Sequence, residues 1–310
     1  MTTPATLAVT KGHGTQNDFV LLDDRTGTLE LDADLVRALA DRRAGVGGDG
    51  VIRVVRSADL PEGAAVLAAD PAAEWFMDYR NADGSLAQMC GNGVRVFVRF
   101  LEHLGLADLS DGARLAIGTR AGVRYVTRVV EGYAVDMGVW HLPGGEAART
   151  AGHDALVSAA GLVGERPALS VDMGNPHTVV ALASDAELDA LDLTRAPAVT
   201  PVPPEGTNVE LVVPLGEEAT PDGVVGHVRM RVHERGVGET RSCGTGACAA
   251  ALAVATWAGS GAPSVWRVDV PGGTVTVTML DGDRVELAGP AELVAHGEVD
   301  VAALVRGATL

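Results

Sequence analysis

The order of hydrophobic and polar residues predicts both strands and enclosed helices. Apolar β-branched residues recur with a period of two in residues 123–130, 224–232 and 274–279, between turns rich in Gly, Asp and Pro. Residues 94–104 and 247–258 are apolar on most sides, which is typical of helices covered by other structure. The pattern therefore predicts an α/β fold in which strands surround central helices.

Two segments lack this regularity. Residues 197–206 contain four prolines and predict an irregular connection. Residues 144–152 begin with a Gly pair and are polar, so we expect them near a domain boundary.

A short motif occurs twice, about half of the chain apart. Cys90 is followed by Gly-Asn-Gly and Cys243 by Gly-Thr-Gly, and each motif opens one of the apolar helices. Asn81 and Glu234 precede their respective cysteines by the same distance. Asn17 and Asn175 also correspond, if one five-residue length change separates the halves. The repeat predicts an internal duplication into two homologous domains.

Charge excludes several classes of partner. The chain has 24 basic and 41 acidic side chains and a net charge of −17, which repels phosphate backbones and anionic lipid surfaces. The longest apolar run, residues 247–259, is shorter than the roughly 20 residues that span a bilayer. The start of the sequence has no signal-peptide pattern. We therefore expect a cytoplasmic protein that binds neither nucleic acid nor membrane.

The basic and sulfur-containing residues limit the chemistry. Three cysteines do not form a disulfide framework, and we expect free thiols. Lys11 is the only lysine, so a pyridoxal Schiff base has one poorly placed candidate. Among His13, His177 and His233, no pair has metal-ligand spacing. We expect neither a cofactor nor a metal.

A cysteine directly before a helix has the chemistry of an acid–base catalyst. The free N–H groups and positive end of the helix favour a thiolate, and such sites lower a cysteine pKa from about 8.5 to roughly 3.5–7.5. The following glycines let backbone N–H groups approach a carboxylate. Two such cysteines, one on each face of a carbon, would invert a stereocentre.

A plainer interpretation remains for each residue singled out. Each Cys-Gly-x-Gly segment also fits a tight turn into a buried helix, with the cysteine as a small core residue. The presence of two corresponding copies favours the catalytic interpretation over this structural one. Cys248 points to a different helix face from Cys243 and is expected in the core. We expect His177 to form hydrogen bonds near the site, whereas His233 fits a structural role.

Six motifs together resemble the diaminopimelate epimerase family, in family order from residue 11 to about 250. They are His13-Gly-Thr-Gln-Asn-Asp-Phe19, Asn81-Ala-Asp-Gly-Ser85, Met89-Cys-Gly-Asn-Gly93, Gly174-Asn-Pro-His177, Glu234-Arg-Gly-Val-Gly-Glu-Thr240 and Ser242-Cys-Gly-Thr-Gly246. The resemblance implies conversion of LL-diaminopimelate to its meso form, in lysine and peptidoglycan precursor synthesis.

The resemblance also implies an organisation and a set of roles. Two pseudo-symmetric α/β domains, each a mixed sheet around a central helix, are expected at residues 1–134 with 290–310 and at residues 135–289. The resemblance also implies a homodimer. Cys90 and Cys243 correspond to the acid and base. Gly91, Asn92, Gly244 and Thr245 correspond to the binders of the reacting carboxylate. Asn17, Asn81, Asn175, Asn208, Glu234 and Arg235 correspond to the contacts with the rest of the substrate, with His177 in support.

Other functions remain open at this point. A proline racemase or hydroxyproline epimerase also uses two cysteines but usually has His where this chain has Asn92. An isomerase of the phenazine-biosynthesis kind lacks the cysteine pair. A silent amino-acid-binding protein could use the two thiols as a reversible disulfide. The chain departs from some family members in having Gly50 where they have glutamine, so Gly50 is left out of the expected site.

Overall fold

The computed structural model describes residues 5–110 and 112–308. The chain divides into two compact units. Unit 1 is formed by the chain up to Val135 together with the segment from Gly289 onward, and unit 2 spans Asp136–Ala288.

Unit 1 contains eight strands, counting β7, and four α-helices among its described residues. In chain order the first of these are β1 (Thr6–Gly14), β2 (Asn17–Asp23), α1 (Ala33–Ala40), β3 (Gly50–Arg56), α2 (Gly63–Ala69), β4 (Trp75–Asn81), α3 (Gly91–His103), β5 (Leu115–Thr119), β6 (Gly122–Val129) and β7 (Gly132–Val139).

The chain then continues through unit 2. That unit contains α4 (Gly145–Ala151), β8 (Ala155–Ser158), β9 (Arg166–Asp172), β10 (Pro176–Ala181), α5 (Asp185–Asp189), β11 (Ala198–Thr200), β12 (Asn208–Thr220), β13 (Gly223–Glu234), β14 (Gly238–Thr240), α6 (Gly244–Ala258), β15 (Val265–Val270), β16 (Gly273–Leu280) and β17 (Arg284–Gly289). The last elements, β18 (Glu292–Asp300) and α7 (Val301–Ala308), belong to unit 1 again.

The two units repeat one strand topology. In unit 1, β2 pairs with β3 in parallel, β3 with β4 antiparallel, β4 with β5 in parallel, and β5, β6 and β7 follow antiparallel. In unit 2, β10, β12, β13, β15, β16 and β17 repeat this order and these directions. Antiparallel β1 and β9 extend the two sheets at β2 and β10 respectively. The predicted α/β fold, with two similar halves, is confirmed.

One helix lies at the centre of each unit. Helix α3 contacts β1, β2, β3, β4 and β18, and helix α6 contacts β9, β10, β12, β13, β15 and β16. Both helices are buried along most of their length. Because strands contact these helices on several sides, few of their positions can carry side chains that need water, which explains the apolar pattern.

Register places corresponding residues at corresponding strand ends. Phe19 of β2 lies beside Gly50 of β3, and His177 of β10 lies beside Asn208 of β12. Two residues further along the second strand of each pair, Ile52 corresponds to Glu210. Ile52 lies against the first turn of α3, and Glu210 lies against the first turn of α6.

One sequence expectation needs correction, and one short helix was not predicted. Residues 197–206 are not entirely irregular, because Ala198–Thr200 pairs antiparallel with β8. Residues 144–152, which were expected near a domain boundary, contain α4 (Gly145–Ala151), which ends at Gly152 in the left-handed conformation. Polar residues hid this short helix because Ala148 is its only side chain that is buried.

The glycine at position 50 is required by close packing. A Cβ on Gly50 would lie 2.5 Å from the carbonyl oxygen of Arg80 and 2.6 Å from Cε2 of Tyr79. Tyr79 is buried, and its ring packs edge-on against Phe19. The Tyr79 ring therefore occupies the space that a longer side chain at position 50 would need.

Gly50→Ala is expected to destabilise the protein by about 1–3 kcal/mol, because the added methyl group must displace backbone or a packed ring. The free energy of unfolding in urea measures this effect. Gly297→Ala is the matched control, since Gly297 also lies in a strand and a Cβ there would meet nothing within 4 Å. Equal stability of the two variants would contradict the packing argument.

Candidate active site

Each motif cysteine caps the N-terminus of its central helix. Helix α3 begins at Gly91, and the N–H of Gly93 donates to Sγ of Cys90 at 3.4 Å. Helix α6 begins at Gly244, and the N–H of Gly246 donates to Sγ of Cys243 at 3.3 Å. The N–H groups of a first helical turn have no partner within the helix, so each sulfur accepts a bond that the helix offers.

The last glycine of each motif lets a strand approach the helix. A Cβ on Gly93 would lie 3.2 Å from Cδ1 of Ile52, and a Cβ on Gly246 would lie 2.7 Å from Oε1 of Glu210. A larger residue at Gly246 would therefore collide with a buried carboxylate. The two helix starts therefore differ chemically, because the neighbour of the glycine is a methyl group of Ile52 in unit 1 and the carboxyl group of Glu210 in unit 2.

Amide side chains connect Cys90 to a buried arginine. Sγ of Cys90 lies 3.5 Å from Oδ1 of Asn17, which also accepts from Nδ2 of Asn92 at 3.2 Å. Nη2 of Arg95 donates to Oδ1 of Asn92 at 3.0 Å. Asn92 and Arg95 are both fully buried. The predicted residues Cys90, Asn17 and Asn92 thus form one network.

Charged residues hold Asn17 from its other side. Nδ2 of Asn17 donates to Asp49 at 2.7 Å, and Arg42 donates to Asp49 and Asp18, each at 2.7 Å. Lys11 forms a 2.5 Å ion pair with Asp18 and also donates to a backbone carbonyl. Burial opposes ionisation of Asp18, but the bonds from Arg42 and Lys11 outweigh it and lower its pKa from 3.8 to about 2.

A corresponding network leads from Cys243 to a buried glutamate. Sγ of Cys243 lies 3.6 Å from Oγ1 of Thr245, which accepts from Nδ2 of Asn175 at 3.4 Å. Oδ1 of Asn175 lies 3.1 Å from Nε2 of His177, and Nδ1 of His177 lies 2.7 Å from Oε1 of Glu210. His177 is 1% exposed and Glu210 is 0% exposed. His177 thus forms hydrogen bonds with Asn175 and Glu210.

The electrostatic surroundings of Cys243 differ from the expectation for a helix N-terminus. Burial raises the pKa of the Cys243 thiol well above its usual value, and the negative charges of Glu234 and Glu210 raise it further. The Thr245 hydroxyl and the Gly246 N–H favour the thiolate but do not compensate. The sequence left open which cysteine is ionised at rest, and at Cys243 these surroundings favour the thiol form.

The remaining expected substrate contacts lie at loop and strand ends. Asn81 is half-buried and donates to Ser85, and Glu234 accepts from the hydroxyl of Thr240. The amide of Asn208 is used at both ends, since Nδ2 donates to the carbonyl of Pro176 and Oδ1 accepts from the N–H of Arg235. The side chain of Arg235 is exposed, and its Nη1 donates to the carbonyl of Glu205 at 2.6 Å.

Residues outside the expected site agree with the plainer interpretations. Cys248 is fully buried in α6, as expected, and His233 lies 3.0 Å from the carbonyl of Leu193.

Within residues 5–110 and 112–308, no group of three or more His, Cys, Asp or Glu side chains could hold a metal ion. The same residues contain no helix that is long and apolar enough to cross a membrane.

Sequence reasoning missed two buried charges, Arg95 and Glu210. Both interrupt apolar segments, since Arg95 lies between Val94 and Val96 and Glu210 between Val209 and Leu211. A charged residue in an enclosed segment needs a partner, which was the available signal. Their partners, Asn92 and His177, are both expected site residues.

A family model matches most of the chain. The family model for diaminopimelate epimerase matches residues 9–142 and 169–294, which include both cysteine motifs. The chain belongs to the diaminopimelate epimerase family.

Relatives within this family match nearly the whole chain. The diaminopimelate epimerase of Streptomyces coelicolor is 50% identical over 307 residues, covering 96% of this chain and 96% of the relative. That of Thermobifida fusca is 46% identical, covering 95% of this chain and 98% of the relative. That of Corynebacterium glutamicum is 45% identical, covering 96% and 99% respectively.

Solved structures of other enzymes share the family's fold. A hydroxyproline epimerase from Agrobacterium vitis, with bound trans-4-hydroxy-L-proline, matches with a TM-score of 0.58 at 16% identity, covering 96% of this chain and 92% of that one. A phenazine biosynthesis protein of the PhzF family from Bacillus anthracis matches with a TM-score of 0.57 at 16% identity, covering 95% and 99%. At this identity the likeness concerns the fold alone.

Acid is expected to remove the contribution of Asp18 to stability. The pKa of Asp18 is lowered on folding, so its stabilisation is complete well above pH 3.8 and is lost as the pH falls through 3.8 toward about 2. Arg42→Gln weakens the pairing and should lower the free energy of unfolding more at pH 6 than at pH 3. Urea unfolding at the two pH values measures this difference.

Arg43→Gln is the control for this experiment, because Arg43 is a neighbouring exposed arginine whose charge acts on Asp41. It should show a smaller dependence on pH between these values. If Arg42→Gln loses equal stability at both pH values, the ion pairs do not account for the lowered pKa of Asp18.

Proposed function

We propose that this chain interconverts LL- and meso-diaminopimelate, with Cys90 and Cys243 as the two catalytic residues and without a cofactor. The observation that carries the proposal is the matched pair of helix-capping sulfurs. Cys90 contacts Asn17 directly, and Cys243 is linked to Asn175 through Thr245. Membership of the diaminopimelate epimerase family, with 50% identity to a relative of that name, supports the substrate.

One sulfur acts on each face of the substrate Cα. A thiolate removes the α-proton, which forms an S–H bond and leaves the bonding electrons on a planar carbanion conjugated with the carboxylate. The opposite thiol then gives its proton to the other face of the carbon and becomes a thiolate. The configuration is inverted, and the total number of protons on the two sulfurs is unchanged.

The helix N-termini stabilise the negative charge that develops during the reaction. Backbone N–H groups at Gly91, Asn92, Gly244 and Thr245 are placed at the starts of α3 and α6, where a carboxylate or enolate oxygen is favoured. The side chain of Asn92 is already used by Asn17 and Arg95. We assign its backbone N–H, at the start of α3, to the substrate.

The remaining polar residues recognise the distal end of the substrate. Arg235 has an exposed guanidinium that can bind the distal carboxylate in a bidentate pair. Glu234 and the amide oxygens of Asn17, Asn81 and Asn175 suit ammonium groups. Asn208 acts indirectly, because its amide holds the backbone of Arg235. A homodimer and a cytoplasmic location complete the proposal and rest on the resemblance to the family and on sequence pattern.

A proline racemase activity is the second candidate. The shared fold with a hydroxyproline epimerase favours it only at the level of architecture. The family match and the exposed Arg235, which proline does not need, favour a substrate with a second carboxylate.

A coupled assay without added cofactor should show turnover of LL-diaminopimelate and none of L-proline. Cys90→Ala and Cys243→Ala should each abolish this turnover while the protein stays folded, because each removes one proton-transfer group. Such groups contribute roughly 10²- to 10⁴-fold, or about 3–5 kcal/mol. Circular dichroism and thermal melting check the fold.

Cys248→Ala is the matched control, since this third cysteine lies in the core of α6 and does not cap a helix. When activity is compared per folded molecule, Cys248→Ala should keep most of the wild-type rate. A residual rate above about a tenth of wild type in either catalytic variant would refute the assigned roles. Turnover of L-proline in preference to diaminopimelate would refute the substrate.

A further inference from the structure

The two cysteine networks end on opposite charges. From Cys90, contacts lead through Asn17 and Asn92 to the guanidinium of Arg95. From Cys243, contacts lead through Thr245, Asn175 and His177 to the carboxyl group of Glu210. The fold therefore repeats, but the buried charge behind the sulfur does not.

Glu210 lies directly against the first turn of α6. A Cβ on Gly246 would be 2.7 Å from Oε1 of Glu210 and 3.2 Å from Sγ of Cys243, so both atoms lie close to the same point. The positive end of the helix favours any negative group placed there. Glu210 and a Cys243 thiolate would thus compete for the same favourable potential and would repel each other.

Unit 1 provides an internal comparison for this position. Ile52 corresponds to Glu210 and Phe19 to His177, and Cδ1 of Ile52 lies near the equivalent glycine of α3. The fold therefore accepts two apolar side chains here. Because replacing buried ion pairs with apolar residues is often neutral or stabilising, stability alone does not explain His177 and Glu210.

The second oxygen of Glu210 is unusual for a buried acid. Oε2 has no hydrogen-bond partner among the residues that the structure describes, although it is shielded from water. A buried carboxyl oxygen without a hydrogen bond lowers the stability of the folded protein. Buried titratable groups of this kind are typical of functional sites.

We propose that Glu210 is a positioning residue that keeps Cys243 in its thiol form at rest and holds the His177 ring against Asn175. This inference rests on the proposed function, because the resting thiol is the form ready to donate a proton to the carbanion. Glu210 does not touch the reacting atoms and acts through the helix terminus and through His177.

Other groups around Cys243 determine how strongly Glu210 affects the protonation of its thiol. Glu234, at the end of β13, adds a second negative charge, while His177 on β10 shares a bond with Glu210. The Thr245 hydroxyl and the Gly246 N–H act in the opposite direction. Since Glu234 remains when Glu210 is changed, removing Glu210 should make the thiol more acidic without making it fully ionised at neutral pH.

The test is the pH dependence of alkylation by iodoacetamide in the absence of substrate, followed at each cysteine by mass spectrometry. In Glu210→Gln and Glu210→Ile, the midpoint for Cys243 should move to lower pH by about one unit or more. The midpoint for Cys90 should stay unchanged. Cys248, which is fully buried, reports any general loosening of α6 and should stay protected.

Asp269→Asn is the matched control, because it removes the carboxylate of another histidine pair in unit 2, in which Nε2 of His227 lies 2.6 Å from Asp269. It should leave the Cys243 midpoint in place. An unchanged Cys243 midpoint in Glu210→Gln would overturn the proposal. Exposure of Cys248 in both neutral variants would also overturn it, since Glu210 would then be structural.

Kinetics give a second readout. In Glu210→Gln the pH profile of kcat for diaminopimelate should shift in the same direction as the alkylation midpoint, while Asp269→Asn keeps the wild-type profile. If wild type does not turn over diaminopimelate, the proposed function fails, but the alkylation result still decides the role of Glu210. An unshifted kcat profile beside a shifted alkylation midpoint would overturn the link to catalysis.

Discussion

The hydrogen bond from a first-turn N–H to a cysteine sulfur is the interaction on which the geometry of both cysteine networks depends. Gly93 and Gly246 donate these bonds, and the absence of a Cβ at each lets a strand pack against the same turn. A buried helix with such a sulfur at its start offers an acid–base group and an anion-binding terminus together. The surrounding sheet fixes both in place.

Burial has opposite consequences for packing and for chemistry. It allows α3 and α6 to be enclosed by strands, but it also raises the pKa of Cys243 by removing water from the thiol. Polar residues near each sulfur must then determine its protonation. In unit 1 the network ends on Arg95, whereas in unit 2 it ends on Glu210. The duplicated fold thus places two identical cysteines near different buried charges.

The sequence was sufficient for the fold class and for locating both helix-capping cysteines, because each motif combines a local turn signal with a long apolar segment. It was insufficient for α4 and β11, which bury few side chains and have no clear periodicity. The role of Glu210 was also hidden. Its neighbour Gly246 is distant in sequence, and only strand register brings the carboxyl group beneath the helix.

The most direct test of the central claim is the origin of the proton on the newly inverted carbon. In deuterated buffer, LL-diaminopimelate should give early product with one solvent deuterium at that Cα, while recovered substrate stays almost free of deuterium. This result follows because one sulfur keeps the abstracted proton and the opposite thiol, already exchanged with solvent, supplies another. Mass spectrometry of both pools at low conversion measures it. Early product rich in protium would contradict the two-cysteine mechanism, even if both cysteines were essential.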